Sequence, residues 1–276
     1  MPAAVAPAPY AHTLSGHPPA DWEPLAAHLD KVAQSASNFT EAFGARPWGE
    51  VLGRCHDLGK LSDEFQSRLR DFGKASEDAG AEDESTPGKR VDHSTFGARF
   101  VAQDVGKIPG QLLAFCIAGH HTGLPDETSS DDTTQRPTLR YKLNPARYPI
   151  YPVAAPHIIL PTLTLPLQPT PAGRAEAPFQ LAFFTRMLFS CLIDADRTRT
   201  EEFCDPAGSA ERSRLGSGLC RPSLAALKEQ LTASLRNMQQ DAKPTEVNRQ
   251  RAIVLNYCHE AANLPPGFFS LNWQSS

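Results

Sequence analysis

The placement of proline is the feature that most restricts the fold of this chain. Of its 25 prolines, 11 lie between residues 124 and 178. Because proline lacks a backbone N–H and clashes with the carbonyl four residues earlier, no continuous helix is expected to cross that stretch. We therefore predict a long irregular excursion over 124–178, with short extended pieces such as 157–160. Excursions of this length are uncommon in compact domains, which leaves a functional lid, a docking surface or a disordered segment as interpretations.

Outside the excursion, apolar residues recur at spacings of three and four, which predicts amphipathic helices. The first helical pattern follows Asp21, which with Pro24 suits a first turn. Further helical patterns cover 48–72, with an interruption at Gly59, and then 94–105, 109–119, 179–203, 222–240 and 245–262. The acidic segment 73–90 has no apolar period and is predicted to be a loop. Since no series of strands is evident, we predict an all-α fold, a helical bundle that carries the proline-rich insertion.

Composition limits the domain count and the function classes. A chain of 276 residues with 40% apolar content can bury one sizeable core, which we place at about 21–205 within a domain of residues 1–240. The net charge is −4, whereas nucleic-acid binders are more often basic. Bound divalent cations would, however, offset acidic ligands locally. No signal-peptide pattern or long unbroken apolar run is present, so we expect a cytoplasmic protein without a membrane partner. Six scattered cysteines suggest neither a zinc knuckle nor a disulfide framework.

Histidines beside other metal-ligating residues carry the strongest functional signal. A neutral imidazole offers one nitrogen lone pair to a cation, whereas a carboxylate can bridge two cations. His56 and Asp57 stand side by side at the start of a helical segment, and Lys60 follows on the same side of that segment. Asp194 follows the residues SCLI within an apolar helical segment, where a bare carboxylate is costly unless it is paired or bound to metal. The remaining candidates are His28, His93 beside Asp92, the pair His120 and His121, and Asp196.

Each of these residues also has a structural interpretation when it is taken alone. His28 could be a surface or capping histidine, and a His–Asp pair also occurs in surface turns. His120 and His121 could end a helix, where imidazolium favours the dipole. Asp194 and Asp196 could be solvent-facing charges. Taken together, histidines from several helices, nearby carboxylates and a lysine favour hydrolysis of a phosphodiester at a site of two metals.

Six short segments, taken in their order along the chain, can be compared with known protein families. They are AHT (11–13), HL (28 and 29), HDLGKLSDEFQ (56–66), DHSTFGA (92–98), AGHHTGLPD (118–126) and LFSCLIDADRTRTE (188–201). This ordered set closely resembles the HD nuclease domain of the CRISPR-associated helicase-nuclease of type I systems. The resemblance covers about residues 8–203, and HDLGK alone would not distinguish it from other HD-superfamily phosphohydrolases.

The resemblance implies an all-helical HD fold that cleaves single-stranded DNA with one or two divalent transition metals. Manganese, iron, cobalt or nickel would serve, and magnesium is also possible. Asp196 is favoured over Asp194 because related domains carry an Ala–Asp pair followed four residues later by serine or threonine, as in Ala195, Asp196 and Thr200. Lys60 would position the phosphate or the attacking water, whereas the role of His12 stays open. The implied ligands are His28, His56, Asp57, His93, His120, His121 and Asp196. Asp57 is also assigned a catalytic role, and neutral imidazole ligands imply activity that falls below about pH 6.5.

The C-terminal segment supports the same family. Residues 247–272 resemble the helix and strand that lead into the helicase half, yet no phosphate loop, DExH-type box or ATP site follows. We therefore interpret 241–276 as a truncated lead-in to a helicase domain. The implied partners are single-stranded DNA, a helicase domain or subunit, and the CRISPR RNA-guided surveillance complex. Two alternatives remain at this point: a phosphohydrolase acting on nucleotides or cyclic nucleotides, and a catalytically silent interaction module of the surveillance machinery.

Overall fold

The all-α prediction is confirmed by a computed structural model that describes residues 8–14, 16–75, 91–131, 133, 137–153, 158–165, 173–216 and 223–265. The described residues form ten α-helices and one small antiparallel sheet. The sheet pairs β1 (Tyr10–His12) with β2 (Glu23–Pro24). The helices are α1 (Leu25–Glu41), α2 (Arg46–Cys55), α3 (Asp63–Ala75), α4 (Ser94–Asp104), α5 (Lys107–Gly119), α6 (Leu139–Leu143), α7 (Gly173–Cys204), α8 (Pro206–Gly216), α9 (Leu224–Gln240) and α10 (Glu246–Ala261).

The position of His56 and Asp57 differs from the prediction that they open a helix. The pair follows the end of α2 at Cys55 instead of opening a helix, and a 3-10 turn (Leu58–Leu61) separates it from α3. Close packing explains the break, because the backbone N–H of Gly59 donates to the carbonyl of His93 at 3.1 Å. A helix continued through Gly59 could not make that contact, so the interruption expected at Gly59 is real but wider than one residue.

Parts of the proline-rich excursion pack against the core, whereas residues 126–131 and Ile159 are exposed. The excursion contains α6, whose Leu139 is buried, and Leu160, Leu163 and Leu165 pack against the core. The described part of the excursion contains no strand, and residue 157 of the predicted extended piece lies outside the described residues. The expected start of the last core helix at residue 179 was wrong, since α7 begins at Gly173 and includes Pro178. Pro178 is exposed and is the sixth residue of this helix, where it removes a single backbone hydrogen bond.

The core lies between five helices of the first compact unit, Met1–Arg212. Helix α1 packs against α2 and α7, α4 packs against α5, and α5 also contacts α7. Trp48 is central: its ring meets Phe184 edge to face at 5.1 Å, and its indole N–H donates to the carbonyl of Thr164 at 3.0 Å. This last bond fixes the far end of the excursion to α2. The buried apolar side chains include Val32, Leu52, Leu113, Ile117, Leu188 and Leu192.

The second compact unit spans Ser213–Ser276, and the division at about residue 240 stays a prediction. Its helices α9 and α10 begin with Ser223 and Thr245, whose side chains accept the N–H groups of Ala226 and Asn248. None of the described residues of these two helices is buried. The assignment of 241–276 as a helicase lead-in stays a prediction, and residues 266–272 of that pattern lie outside the described part. Helix α3 covers residues 73–75 of the predicted acidic loop, and the rest of that segment, 76–90, lies outside the described residues.

Candidate metal centre

Two helices and the turn after α2 bring four metal-ligating side chains together. His28 is the fourth residue of α1, His56 and Asp57 follow α2, and Asp196 belongs to α7. Oδ1 of Asp196 lies 3.3 Å from Nε2 of His28 and 3.5 Å from Nε2 of His56. Oδ2 of Asp57 lies 3.3 Å from Nε2 of His56. We call these four residues the inner group, because both histidines are 0% exposed.

A second set of ligands shares Asp57 with the first and lies nearer to solvent. It contains Asp57, His93, His120 and the exposed His121, and we call it the outer group. Oδ1 of Asp57 lies 3.3 Å from Nε2 of His120 and 3.6 Å from Nε2 of His93. Nε2 of His93 and Nε2 of His121 are 2.7 Å apart. The two oxygens of Asp57 therefore face different groups, as a carboxylate bridging two cations would require.

Local hydrogen bonds orient the imidazole rings of both groups. His56 and His120 use the same device, since each Nδ1 lies close to the carbonyl three residues earlier, that of Gly53 at 2.9 Å and that of Ile117 at 2.7 Å. Nδ1 of His93 faces the carbonyl of Val91 at 3.3 Å. Because a carbonyl oxygen can only accept, Nδ1 carries a proton, and Nε2 is the nitrogen that presents a lone pair when the ring is neutral. All three lone pairs point into the candidate centre.

Buried polar atoms without partners test whether these residues fit a metal. Within the described part of the chain, Nε2 of His28, His56 and His120 and Oδ1 of Asp57 are buried and make no hydrogen bond. Their contacts with each other have the distances of ion pairs without the angles of hydrogen bonds. Since buried polar atoms without a partner are costly, a cation that accepts all of these lone pairs resolves the cost. The donor set of imidazole nitrogens and carboxylate oxygens suits a divalent transition metal.

The two groups differ in their electrostatics. Burial lowers the pKa of His56, but the neighbouring carboxylates of Asp57 and Asp196 outweigh it and raise that pKa to about 10. Burial would raise the pKa of Asp57, yet His56 and Lys60 hold it well below its usual range. In the outer group, burial lowers the pKa of His93 to about 4. The carboxylates therefore favour the protonated form of His56, whereas burial favours the neutral form of His93.

Lys60 lies on the buried side of the centre, with only 1% of its surface exposed. Its ammonium is 3.1 Å from Oδ2 of Asp57 and donates to the carbonyl of Ala11 at 3.1 Å. These contacts hold the bridging carboxylate and attach β1 to the turn after α2. The phosphate- or water-positioning role predicted from the sequence stays a prediction.

Several residues near the centre were not singled out as functional from the sequence, and one predicted alternative lies elsewhere. Glu23 is buried and faces Nδ1 of His28 at 3.1 Å. Asp92 accepts hydrogen bonds from the backbone N–H and the hydroxyl of Thr95. An aspartate three residues before a threonine at the start of a helix is a sequence signal for such a helix-capping contact. His12, whose role was left open, is buried with its ring edge to face with His28 at 4.8 Å. Asp194 is exposed and outside both groups, whereas Asp196 is inside.

Comparison with known families gives one decisive match. A family model described as "Cas3, HD domain" matches residues 14–182. The chain belongs to this family. The match confirms the resemblance drawn from the six sequence segments, and membership in the Cas3 HD family places the chain among metal-dependent hydrolases of CRISPR systems. The matched range holds both groups except for Asp196, which α7 supplies from beyond it. No curated protein matches the chain.

Proposed function

We propose that this chain hydrolyses phosphodiester bonds of single-stranded DNA with one or two divalent transition metals, as the nuclease of a type I CRISPR system. The observation that carries the proposal is the pair of ligand groups joined by Asp57, with buried lone pairs that have no hydrogen-bonding partner among the described residues. The family adds the expectation of a nuclease, and the geometry adds a site of the right donor chemistry. Both support hydrolysis over a silent interaction module.

The chain's own residues would prepare the reaction by fixing ligands and charge. A divalent ion held here would lower the pKa of water and offset the negative charge of the phosphodiester. Asp57 fixes the spacing between the two groups, and Lys60 fixes Asp57. His28 and His56 are closed to solvent, so the substrate would approach from the side where His121 is exposed. A flexible single strand can bend toward such a recessed centre, whereas duplex DNA is stiff over about 150 base pairs.

A partner that delivers the strand follows from the charge of the chain. The net charge of −4 gives little attraction for a polyanion beyond the centre itself. We therefore propose that a helicase domain or subunit, recruited by an RNA-guided surveillance complex in the cytoplasm, feeds the strand to the outer group.

Cleavage of circular single-stranded DNA by metal-free and metal-loaded protein tests the proposal. A circle has no ends, so its cleavage reports endonuclease activity. We expect activity with manganese, iron, cobalt or nickel, its loss in chelator, and its loss in His56→Ala and Asp57→Ala together with bound metal. The control Asp194→Asn changes an exposed carboxylate outside both groups and should stay active.

The same assay separates the alternatives. Full activity in chelator would contradict the proposal. Hydrolysis of mononucleotides or cyclic nucleotides with no cleavage of the polymer would indicate the small-molecule phosphohydrolase. A protein that binds no metal and cleaves neither substrate would indicate the interaction module.

A further inference from the structure

A buried lysine from the proline-rich excursion lies behind the outer group. Lys142, on α6, is only 7% exposed. Its ammonium donates to the carbonyl of Ala118 at 3.0 Å and to the hydroxyl of Ser94 at 3.4 Å, and it lies 3.7 Å from Oδ2 of Asp92. Burying an ammonium is costly unless it is paired and hydrogen-bonded, so these three contacts together explain its position.

The three acceptors belong to the two segments that supply the histidines of the outer group. Asp92 and Ser94 flank His93, and Ala118 precedes His120 by two residues at the end of α5. One ammonium therefore ties the turn before α4 to the C-terminal end of α5. A cation at that end also meets the negative end of the helix dipole.

The acceptor Asp92 is itself held rigidly. Its carboxylate accepts the N–H and the hydroxyl of Thr95, both at 2.8 Å, and the hydroxyl of Tyr148 at 2.8 Å. Tyr148 lies on the same excursion as Lys142, so the excursion reaches Asp92 with two side chains. Movement of either would shift the residue next to His93.

The backbone of the excursion is fixed to α4 in turn. The guanidinium of Arg99 donates from Nε and Nη2 to the carbonyl of Lys142, at 2.8 and 2.6 Å, and from Nη2 to the carbonyl of Tyr148. Leu139, one turn before Lys142, is buried in the core. Lys142 thus projects from an anchored helix and not from a free loop.

We propose that Lys142 is a positioning residue for the outer group, setting the separation between His93 and the pair His120 and His121. This inference rests on the metal centre of the proposed function and goes beyond it, because it gives the proline-rich excursion a role in metal binding. The histidines of the inner group are fixed by other partners, Glu23 for His28 and Gly53 for His56. Loss of Lys142 should therefore lower the intrinsic affinity of the outer group and leave that of the inner group unchanged.

Titration of metal-free protein with Mn²⁺, followed by calorimetry and by ion counting, tests this inference. In Lys142→Met we expect the affinity for the outer ion to fall about 10- to 100-fold, as for other residues that orient metal ligands. The intrinsic affinity of the inner group should be that of the wild type. Arg140→Met is the matched control, since Arg140 lies on the same helix with 69% of its side chain exposed. That variant should bind both ions normally.

Each result has a defined meaning. Two ions bound by Lys142→Met with wild-type affinities would overturn the inference and leave the proposed function intact. An equal loss of both ions would overturn it too, because a general structural role affects both groups. A wild type that binds one ion overturns the inference alone, whereas a wild type that binds none overturns the proposed function as well. If Lys142→Met does not fold, Lys142→Gln decides: its shorter, uncharged side chain cannot hold the three acceptors together, and unchanged affinity for the outer ion would overturn the inference.

Discussion

Gly59→Ala is predicted to disturb the candidate centre without altering any ligand. A Cβ added at Gly59 would lie 2.2 Å from the carbonyl oxygen of His93, 2.5 Å from its Cα and 2.6 Å from its carbonyl carbon. These are backbone atoms, so no rotamer change can relieve the overlap. The turn that carries Asp57 and the segment that carries His93 must separate by roughly 1 Å to reach ordinary contact.

The expected cost follows from that separation. Overpacking of this kind destabilises a protein by about 1–3 kcal/mol, and the backbone hydrogen bond from Gly59 to His93 is lost with it. For a compact unit of this size, each kcal/mol lowers Tm by about 2–4 °C. Oδ1 of Asp57 and Nε2 of His93 are 3.6 Å apart, so a shift of roughly 1 Å is large for a shared metal site. We expect activity to fall about 100-fold.

Thermal unfolding, ion counting and cleavage of circular single-stranded DNA measure the three effects of Gly59→Ala. The matched control is Gly44→Ala, since Gly44 has φ of 72° and a Cβ there would meet nothing within 4 Å among the described residues. An alanine at that φ costs about 1–2 kcal/mol, so the control should lose stability and keep its metals and activity. Wild-type Tm and metal content in Gly59→Ala would refute the reasoning.

Two further predictions concern carboxylates beside the candidate centre. Glu23→Gln keeps the size of the side chain that faces His28 and removes its charge, so affinity for the inner ion should fall about 10- to 100-fold in a metal titration. The control Lys31→Met alters a side chain beside Glu23 that is 48% exposed, and it should change this affinity little. Equal effects of the two variants would contradict the prediction. Burial raises the pKa of Asp92, but Lys142 and the hydrogen bonds from Thr95 outweigh it and lower that pKa to about 2. The ionised carboxylate therefore stabilises the fold by about 2 kcal/mol above about pH 4, and this stabilisation is lost as the pH falls toward about 2. Urea unfolding of metal-free wild type and Asp92→Asn should therefore show a difference in free energy that shrinks over that range, and a constant difference would argue against the ion pair.

Much of the centre could be predicted because its ligands lie within short motifs. The order of His28, the His56–Asp57 pair, His93 and the His120–His121 pair indicated one site, and the structure brings all of these residues together. Helical periodicity located most of the helices for a related reason: apolar spacing is a local property of the chain. Both kinds of signal can be read within a few turns of sequence.

Contacts between remote segments carry no such signal. Glu23 and Lys142 look like ordinary surface charges in the sequence, and only the folded chain shows them buried beside His28 and behind His93. The helical position of Pro178 escaped prediction because the rule for proline depends on its distance from the helix start. The packing of parts of the excursion against the core escaped it because Leu139 and Leu160 find their partners in distant helices.

The shared carboxylate of Asp57 has a thermodynamic consequence for the centre. Because its two oxygens face different groups, occupancy of one group changes the free energy of occupying the other. Linkage makes this effect reciprocal: whatever factor the inner ion applies to the affinity of the outer ion, the outer ion applies to the inner. Two ions bound at this centre would therefore not be independent ligands, and their saturation curve would contain a coupling free energy carried by a single side chain.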